Sequence, residues 1–354
     1  MPKNEIPEGI YFGLPEDEYH AAAGLSCSGM KQLSVSPLNY WHHNSNPAFE
    51  RPEESFPMRF GKAVHCRLLE PERFHQMYCR ELSVEDYPGA LQTIDHMKEW
   101  LSDHGMPTTS KRKQDLIDRI VASDHPAMIW DDLKGRHAEE NAGKAVITKG
   151  EAELIEALAA VAAADPVVSA IFIGGMPEVS FFVEDPETGV MLKARMDYVR
   201  PRSTMDLKTF SNSRGKPVEK AVFEAIYHES YHLQCVYYHK VRELARRKLA
   251  AGAIQTHGFV SEAWLKTFTE QEDAGFGFVF VESSPPFDMR LILLKQAESP
   301  GADLNVYWSA AAMKIYDATQ LYAECLAKYG QDPWRDQVKP HLLEDTDLPQ
   351  LMFA

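Results

Sequence analysis

Residues 178–197 read EVSFFVEDPETGVMLKARMD, and residues 205–209 read MDLKT. Two apolar runs joined by a turn that contains Asp, Pro and Gly are typical of adjacent antiparallel strands. Because side chains two residues apart on a strand point to the same face, Asp206 and Lys208 are predicted to share a side. The pattern therefore places Glu178, Asp197 and Asp206 at neighbouring strand ends, with one lysine beside the last of them.

This grouping of acids predicts a metal site. Carboxylate oxygens are the hard ligands that Mg²⁺ and Mn²⁺ prefer. A metal-bound water beside a lysine is suited to the hydrolysis of a phosphodiester. We therefore expect Asp197, Asp206 and Lys208 to lie at the centre of a hydrolytic site.

The composition is that of a globular protein. Hydrophobic residues make up 44% and charged residues 25% of the 354 positions, which is enough for a full core in one large domain or two. The sequence has neither a basic and apolar leader nor an apolar run of membrane length, so we expect a soluble intracellular protein without a membrane partner. Its five cysteines are scattered, which argues against a disulfide framework, a zinc knuckle or an iron–sulfur cluster.

The net charge of −15 bears on nucleic-acid binding. Contacts to phosphates need Lys and Arg, so the charge argues against a nonspecific nucleic-acid coat. A locally basic groove can still lie on an acidic body, and part of the acidity can belong to a metal site. The charge therefore leaves a nuclease open.

Two helices are predicted to supply further site residues. Residues 59–69 form a helical pattern that carries His65. A second helical pattern, from about 218 to 249, is rich in Tyr and His. Gln234 and Tyr238 lie one turn apart on it, so they are expected to face the same way.

Residues 93–123 have a sequence pattern that differs from the rest of the chain. One amphipathic helix is stopped by residues 105–107, and a polar loop leads to a second amphipathic helix. This run resembles the SAP-type helix–extended–helix module, whose members usually touch the DNA backbone, although the loop here has one residue more. The resemblance implies DNA contacts from Lys111 and Lys113. The alternative is a pair of surface helices in an insertion.

The chain as a whole is similar to the PD-(D/E)xK nuclease superfamily, and within it to the RecE-type (exonuclease VIII) phage and prophage exonucleases. A helical His, then Glu, Asp, a DxK triplet and QxxxY, in that order, carry the resemblance. The matching segments are Gly9–Tyr11, Tyr19-His20, Leu25–Gly29, Ser36-Pro37, Gly61–Pro71, Gly143-Lys144, Val146–Thr148, Glu184–Gly189, Asp206–Thr209 and Tyr231–Tyr238.

The resemblance implies a mixed α/β nuclease fold over residues 1–354, with a central mixed sheet flanked by helices and with 93–123 as an inserted SAP-like module. The sequence departs from the family pattern in two ways. Met196 stands where the pattern has a proline before the first aspartate. The stretch 93–123 looks like an insertion into a compact core, and the stretch 250–272 looks like a loop or a second insertion.

The resemblance also implies the metal ligands. Asp197 and Asp206 would bind the catalytic metal through their carboxylates. Leu207 would add its backbone carbonyl, and His65 would complete the set from its helix. Glu178 would hold a metal-bound water or help a second metal.

Further residues would act on water and substrate. Lys208 would orient and help deprotonate the attacking water, and its ammonium would offset charge on the pentacovalent phosphate. Gln234 and Tyr238 would position Lys208 or the substrate phosphate. Ser28 matches a serine that related phage exonucleases place near the terminal 5′-phosphate.

The implied activity is hydrolysis of double-stranded DNA from its 5′ ends, which leaves a 3′ single strand for phage-type recombination. Mg²⁺ is the expected cofactor, and Mn²⁺ is expected to substitute for it. RecE-type relatives further imply a homo-oligomeric ring that threads DNA, a single-strand annealing protein as partner, and a location in the cytoplasm of a bacterial host.

Other interpretations stay open. Another PD-(D/E)xK nuclease, either an endonuclease or an exonuclease of different polarity, would share the metal site and reach DNA differently. A non-catalytic DNA-binding or structural relative would need a lost acid or lysine, and none is missing. Residues 228–232 spell HExxH, so His228 and His232 could bind Zn²⁺ with Glu229 as general base. No third zinc ligand follows them at a known spacing.

Overall fold

The structure is a computed structural model that describes residues 5–273, 275–294, 306–338, 340 and 342–344. The strands are β1 (Gly9–Tyr11), β2 (Tyr78–Arg80), β3 (Ala145–Ile147), β4 (Met176–Glu184), β5 (Met191–Arg200), β6 (Ser203–Phe210), β7 (Gln255–His257), β8 (Gly275–Glu282) and β9 (Met289–Leu294). The helices are α1 (Glu16–Ala21), α2 (Cys27–Val35), α3 (Pro37–Asn44), α4 (Phe56–Leu69), α5 (Pro71–Met77), α6 (Ile94–Asp103), α7 (Lys113–Val121), α8 (Trp130–Glu140), α9 (Lys149–Ala164), α10 (Pro166–Ile171), α11 (Val218–His228), α12 (Tyr231–Ala250), α13 (Glu262–Glu270) and α14 (Val306–Tyr329). Each helix in this described part of the chain is too short or too polar to cross a lipid bilayer.

Within the described residues, seven strands form one mixed sheet in the order β7-β1-β4-β5-β6-β8-β9. The steps from β7 to β1 and from β6 to β8 are parallel, and the other neighbours are antiparallel. Parallel neighbours need a long connection, and the one from β6 to β8 contains α11 and α12. The predicted mixed α/β fold, a central mixed sheet flanked by helices, is confirmed.

Helices cover both faces of the sheet. The sequence of β8 requires this, because its side chains are apolar on both faces. Phe276, Phe278 and Phe280 lie in one buried cluster with residues of α11 and α12. Val279 and Val281 lie in a second cluster with residues of α4 and α9. A strand that is buried on both faces is a nearly continuous apolar run. The core is therefore two layers, one on each side of the strands that carry the acids.

Residues 93–123 pack largely on themselves. The helices α6 and α7 bury a small apolar cluster of their own, and Leu91 and Ile129 at the two ends of the segment join it. These two residues also form an isolated parallel bridge that closes the segment at its base. The two predicted helices are present, while the assignment as an inserted SAP-like module stays a prediction.

The segment 250–272 contains β7 and α13, so the expectation of a loop is wrong, while its being an insertion relative to related nucleases stays a prediction. β7 pairs with β1 and forms one edge of the main sheet. Trp264 and Phe268 of α13 are buried in the largest apolar cluster. A three-residue strand is too short to display an alternating pattern, so the sequence conceals its role.

Two adjacent tyrosines fasten α12 to β5. The buried hydroxyl of Tyr237 donates to the carbonyl of Leu25 at 2.5 Å, with the carbonyl of Lys193 at 3.1 Å. The hydroxyl of Tyr238 donates to the carbonyl of Arg195 at 2.9 Å. These bonds satisfy main-chain oxygens in the core and fix the position of α12 against the strand that carries the first aspartate.

We expect Tyr237→Phe to lower the free energy of unfolding by about 1 kcal/mol, because it removes a buried donor from carbonyl oxygens that have no access to water. Urea denaturation followed by tryptophan fluorescence measures this change. Tyr227→Phe is the control, since Tyr227 is 74% exposed and would lose only a solvated hydroxyl. Equal denaturation midpoints for the two variants would contradict the role given to the Tyr237 hydroxyl.

Candidate active site

Glu178 and Asp197 lie opposite each other on β4 and β5. The residues before and after them are paired in one antiparallel register, so Glu178 and Asp197 are opposite each other although the regular pairing of the two strands is interrupted at this position. We call this opposed pair the acidic rung. Directly opposed side chains have Cβ atoms about 4.5–5.5 Å apart, so two carboxylates at this position repel each other unless positive charge is near. Glu178 also has a φ of 52°, a left-handed conformation that costs a non-glycine residue roughly 1–2 kcal/mol.

Both strands rotate at the acidic rung. Met176 and Val179 of β4 pack in the apolar cluster that α12 covers, and so do Met196 and Val199 of β5. On a regular strand, residues three apart point to opposite faces. The two acids therefore lie where the strands leave the regular pleat.

β5 and β6 separate beside Asp197. Their main-chain pairing ends at Tyr198 and Met205. Beyond that point the Asp197 side chain replaces a backbone acceptor, since its Oδ2 accepts a hydrogen bond from the main-chain N–H of Leu207 at 2.9 Å. This bond holds Asp197 against the strand that carries the MDLKT sequence.

α4 brings His65 to the same place. Gly61 lies one turn earlier, and a Cβ at that position would be 3.3 Å from Oγ1 of Thr209 on β6. The ring Nδ1 of His65 is 3.6 Å from Oδ2 of Asp197. The absence of a side chain at position 61 thus permits the close approach that puts an imidazole beside the acids.

Among the residues that the structure describes, His65, Glu178 and Asp197 form a group of potential metal ligands. One ligand atom from each lies within 4.8 Å of the other two. An imidazole with two carboxylates is a donor set suited to a divalent cation such as Mn²⁺ or Mg²⁺. The chemistry of these side chains therefore fits the predicted metal.

Asp206 occupies a different position from Asp197, although the sequence suggests the same role for both. Asp206 is fully buried, and its Oδ1 accepts a hydrogen bond from Nε2 of Gln234 at 2.8 Å. Its Oδ2 is ion-paired with Lys208. Oδ2 lacks a partner in hydrogen-bonding geometry, but the ion pair still compensates its charge, because Coulomb attraction depends on distance and not on angle. Asp206 lies outside the ligand group, and its direct binding of metal stays a prediction.

Lys208 lies between Asp206 and two aromatic rings. The side chains of Asp206 and Lys208 meet on one side of β6, as their two-residue spacing predicts. Nζ of Lys208 is 4.9 Å from the ring centre of Tyr231 and 5.9 Å from that of Phe278. The resemblance implies that Tyr238 would position Lys208 or a phosphate, but its hydroxyl donates to the main chain of β5 and acts there as an anchor.

Burial and repulsion raise the pKa values of the acids. Desolvation and the charge of Asp197 raise the pKa of Glu178 to about 7, and the same two causes raise the pKa of Asp206 to about 7. Desolvation also raises the pKa of Asp197, against the opposing effect of Lys208. Arg195 and Lys208 act against these shifts but offset burial only in part, and a divalent cation would supply further positive charge.

The two basic groups shift in opposite directions. Burial and the Lys208 ammonium lower the pKa of His65 to about 4, so its ring is neutral at pH 7 and able to bind a metal. A backbone hydrogen bond with Leu207 acts against this shift. Burial by itself would lower the pKa of Lys208, but the carboxylates of Asp206 and Asp197 raise it. Lys208 is therefore a cation at neutral pH.

A cleft of about 290 Å³ opens onto the acids. Ser28 of α2 lies in its wall together with Glu178, Asp197 and Gln234. Its other lining residues are Tyr19, His20, Ser26, Cys27, Lys31, Arg195 and Tyr238. The structure thus brings Ser28 into the same cleft as the acids, where its predicted role near a phosphate requires it.

Sequence reasoning misses Lys31 and Arg195. The signal for Arg195 is nevertheless present, because Lys193, Arg195 and Asp197 occupy every second position of β5, between apolar residues. On a strand this spacing marks one polar face. Lys31 has no comparable signal, since a lysine on a short helix is normally a solvated residue.

The two lysines predicted to contact DNA belong to the 93–123 segment. Lys111 is exposed in the loop before α7. Lys113 begins α7 and pairs with Asp131 of α8 at 2.6 Å, which offsets part of its charge. Neither lysine lines the cleft of the acids, and their DNA contacts stay predictions.

The HExxH motif does not lie on one helix, which corrects the zinc-peptidase interpretation. α11 ends at His228 and α12 begins at Tyr231, with a left-handed φ of 52° at Ser230 between them. A four-residue spacing puts two histidines on one face only within a continuous helix. In the described part of the chain, neither His228 nor His232 belongs to a group of three potential metal ligands.

Comparison with known proteins agrees with this geometry. Residues 26–255, about two thirds of the chain, match the model of a family described as a PDDEXK-like domain of unknown function (DUF3799). The chain belongs to this family. All the cleft residues from Ser26 to Tyr238 lie within the DUF3799 match. Family membership and the acid–lysine site support a nuclease, a hydrolase of the type that uses a divalent metal.

Two other comparisons add little to the DUF3799 assignment. A solved structure similar to this chain is the crystal structure of a candidate exonuclease from Eubacterium rectale. The identity is 13%, the alignment covers 75% of this chain and 97% of that chain, and the TM-score is 0.32. No curated protein sequence matches the chain.

The raised pKa of Glu178 predicts how stability depends on pH without metal. The folded value of about 7 lies above the ordinary value of 4.5, so the stabilisation is complete below pH 4.5 and is lost as the pH rises through about 7. The melting temperature of the metal-free protein should therefore fall over this range relative to that of Glu178→Gln, whose amide does not titrate. Mn²⁺ should reverse the fall. Parallel pH profiles for the two proteins would contradict the electrostatic description of the acidic rung.

Proposed function

We propose that this protein is a metal-dependent nuclease that degrades double-stranded DNA from 5′ ends and leaves a 3′ single strand. The single observation that carries the hydrolytic part is the ligand group of His65, Glu178 and Asp197, adjoined by the Asp206–Lys208 ion pair. Family membership supports the nuclease class. The polarity rests on the resemblance of the motif order to RecE-type exonucleases.

Each side chain has a task in phosphodiester hydrolysis. His65, Glu178 and Asp197 would hold a divalent cation, which lowers the pKa of water and polarises the phosphate. Lys208 orients the attacking water and offsets the negative charge that develops on the phosphate oxygens. The raised pKa of Lys208 favours this electrostatic role over the abstraction of a proton.

Asp206 and Gln234 position the lysine. The Gln234 amide donates to Oδ1 of Asp206, which leaves Oδ2 directed at Lys208. Without the amide, the buried carboxylate would be free to rotate away from the ammonium. Gln234 therefore acts on the reaction through Asp206.

The cleft wall supports binding of a terminal phosphate. Ser28 lies in the first turn of α2, where the helix N-terminus favours an anion. Lys31 lines the same cleft, and its ammonium donates to the main-chain carbonyl of Glu229. A hydroxyl, an ammonium and a helix end together suit a 5′-phosphate better than an internal phosphodiester, because the terminal group carries more negative charge.

We extend the proposal to cofactor, assembly and partner. Mg²⁺ is the proposed cofactor, with Mn²⁺ able to substitute. A homo-oligomeric ring would thread the duplex, and a single-strand annealing protein would bind the 3′ strand in the cytoplasm of a bacterial host. The support for these points is the RecE resemblance, and persistence of degradation after dilution into competitor DNA tests the ring.

A comparison of DNA substrates tests the proposed function. With Mg²⁺, the protein should release nucleotides from 5′-phosphorylated linear duplex and leave covalently closed circular duplex intact. A label at the 5′ end should be released before a label at the 3′ end, and EDTA should stop both. Cutting of the circle would indicate an endonuclease, and earlier release of the 3′ label would indicate the opposite polarity.

Lys208→Ala should reduce the rate of hydrolysis by about 100-fold or more, because it removes the charge that stabilises the transition state. Affinity for Mn²⁺ should persist, since the ligand group is intact. Lys216→Ala is the matched control, because Lys216 follows the same strand and pairs with Glu224 of α11. Full activity of Lys208→Ala would remove Lys208 from its proposed role.

A further inference from the structure

The guanidinium of Arg195 makes three hydrogen bonds within the site. Its Nε donates to Oε2 of Glu178 at 2.7 Å. Its Nη1 donates to the carbonyl of Leu14 at 2.7 Å and to Oγ of Ser180 at 3.1 Å. The side chain is 11% exposed, so solvent screens these contacts little.

Glu178 depends on such a tie more than an ordinary strand residue does. Its backbone is held at a left-handed φ. Its carboxylate lies opposite that of Asp197 in the acidic rung, where the regular pairing of the two strands is interrupted. Repulsion between the two acids would turn the flexible glutamate away from the ligand group. The contact with Arg195 is the ion pair that opposes this rotation.

The anchors of Arg195 are fixed by separate elements. Ser180 is fully buried and pairs with Arg195 across the β4–β5 ladder. Leu14 lies just before α1, the helix whose Tyr19 and His20 line the cleft. The guanidinium therefore links a metal ligand to the segment that forms the wall of the substrate cleft.

We propose that Arg195 is a positioning residue that fixes the carboxylate of Glu178 as a metal ligand and couples it to the N-terminal wall of the cleft. The inference rests on the proposed metal-dependent function. A fork of N–H donors suits this task, because it can bind the carboxylate and two anchors at the same time. A lysine would supply the charge without the fixed geometry.

Titration calorimetry with Mn²⁺ alone tests the proposal without DNA. Arg195→Met should weaken Mn²⁺ binding by about 10- to 100-fold, the usual cost of removing a group that orients a metal ligand. Arg195→Lys should recover only part of the loss. Ser180→Ala removes one anchor and keeps the arginine, so it should weaken Mn²⁺ binding by about threefold.

Lys193→Met provides the matched control. Lys193 is also a buried base on β5, and its Nζ donates to the carbonyls of Tyr19 at 3.0 Å and Ala22 at 2.7 Å. It pairs opposite Phe182, away from the acidic rung. Its loss should destabilise the fold in urea and leave Mn²⁺ affinity within about twofold of the wild type, since the ligand group keeps its orientation.

The outcomes separate this inference from the proposed function. Failure of the wild type to bind Mn²⁺ would overturn both. Wild-type binding with unchanged or tighter binding by Arg195→Met would overturn the positioning role alone, and tighter binding would mean that the guanidinium competes with the metal. If Arg195→Met does not fold, Ser180→Ala decides, and wild-type affinity in that variant contradicts the proposal.

Discussion

Glu178 and Asp197 repel each other, and the other charged side chains of the site are arranged around that repulsion. The strands place two carboxylates opposite each other with little access to water, and Glu178 adopts a costly left-handed backbone to reach this position. Carboxylates in such an arrangement either bind protons or attract a cation. In the protein without metal, burial and the charge of Asp197 raise the pKa of Glu178 to about 7.

Neighbouring side chains reduce this repulsion in two ways. Arg195 and Lys208 supply positive charge from the protein, one beside Glu178 and the other beside Asp206. His65 approaches from α4 and adds a neutral nitrogen that a cation can use but a proton rarely occupies at pH 7. The site is thus partly compensated by its own bases, and the remaining deficit of positive charge lies between His65, Glu178 and Asp197.

Much of this arrangement follows from the sequence, because its signals are local. The turn at 185–189 fixes β4 and β5 as neighbours, and the two-residue spacing puts Asp206 and Lys208 on one side. His65 and Gln234 are found by motif order. The resemblance to known nucleases supplies this order, and periodicity alone would leave both residues unassigned.

Other features could not be predicted, because they depend on departures from regular geometry. Both strands rotate at the acidic rung. This rotation interrupts the alternation of side chains between the two faces of a strand, from which strands are predicted. The left-handed Ser230 divides a helical pattern in two and removes the HExxH geometry. The different positions of Asp197 and Asp206 arise where β5 and β6 separate, and no spacing encodes that separation.

One divalent cation is expected to bind between His65, Glu178 and Asp197. Anomalous diffraction from crystals soaked in Mn²⁺ would locate this cation independently of any activity. We expect a peak about 2.0–2.6 Å from a ligand atom of each of these residues. A peak elsewhere, or none at this group in crystals that bind Mn²⁺ at other positions, would contradict this expectation.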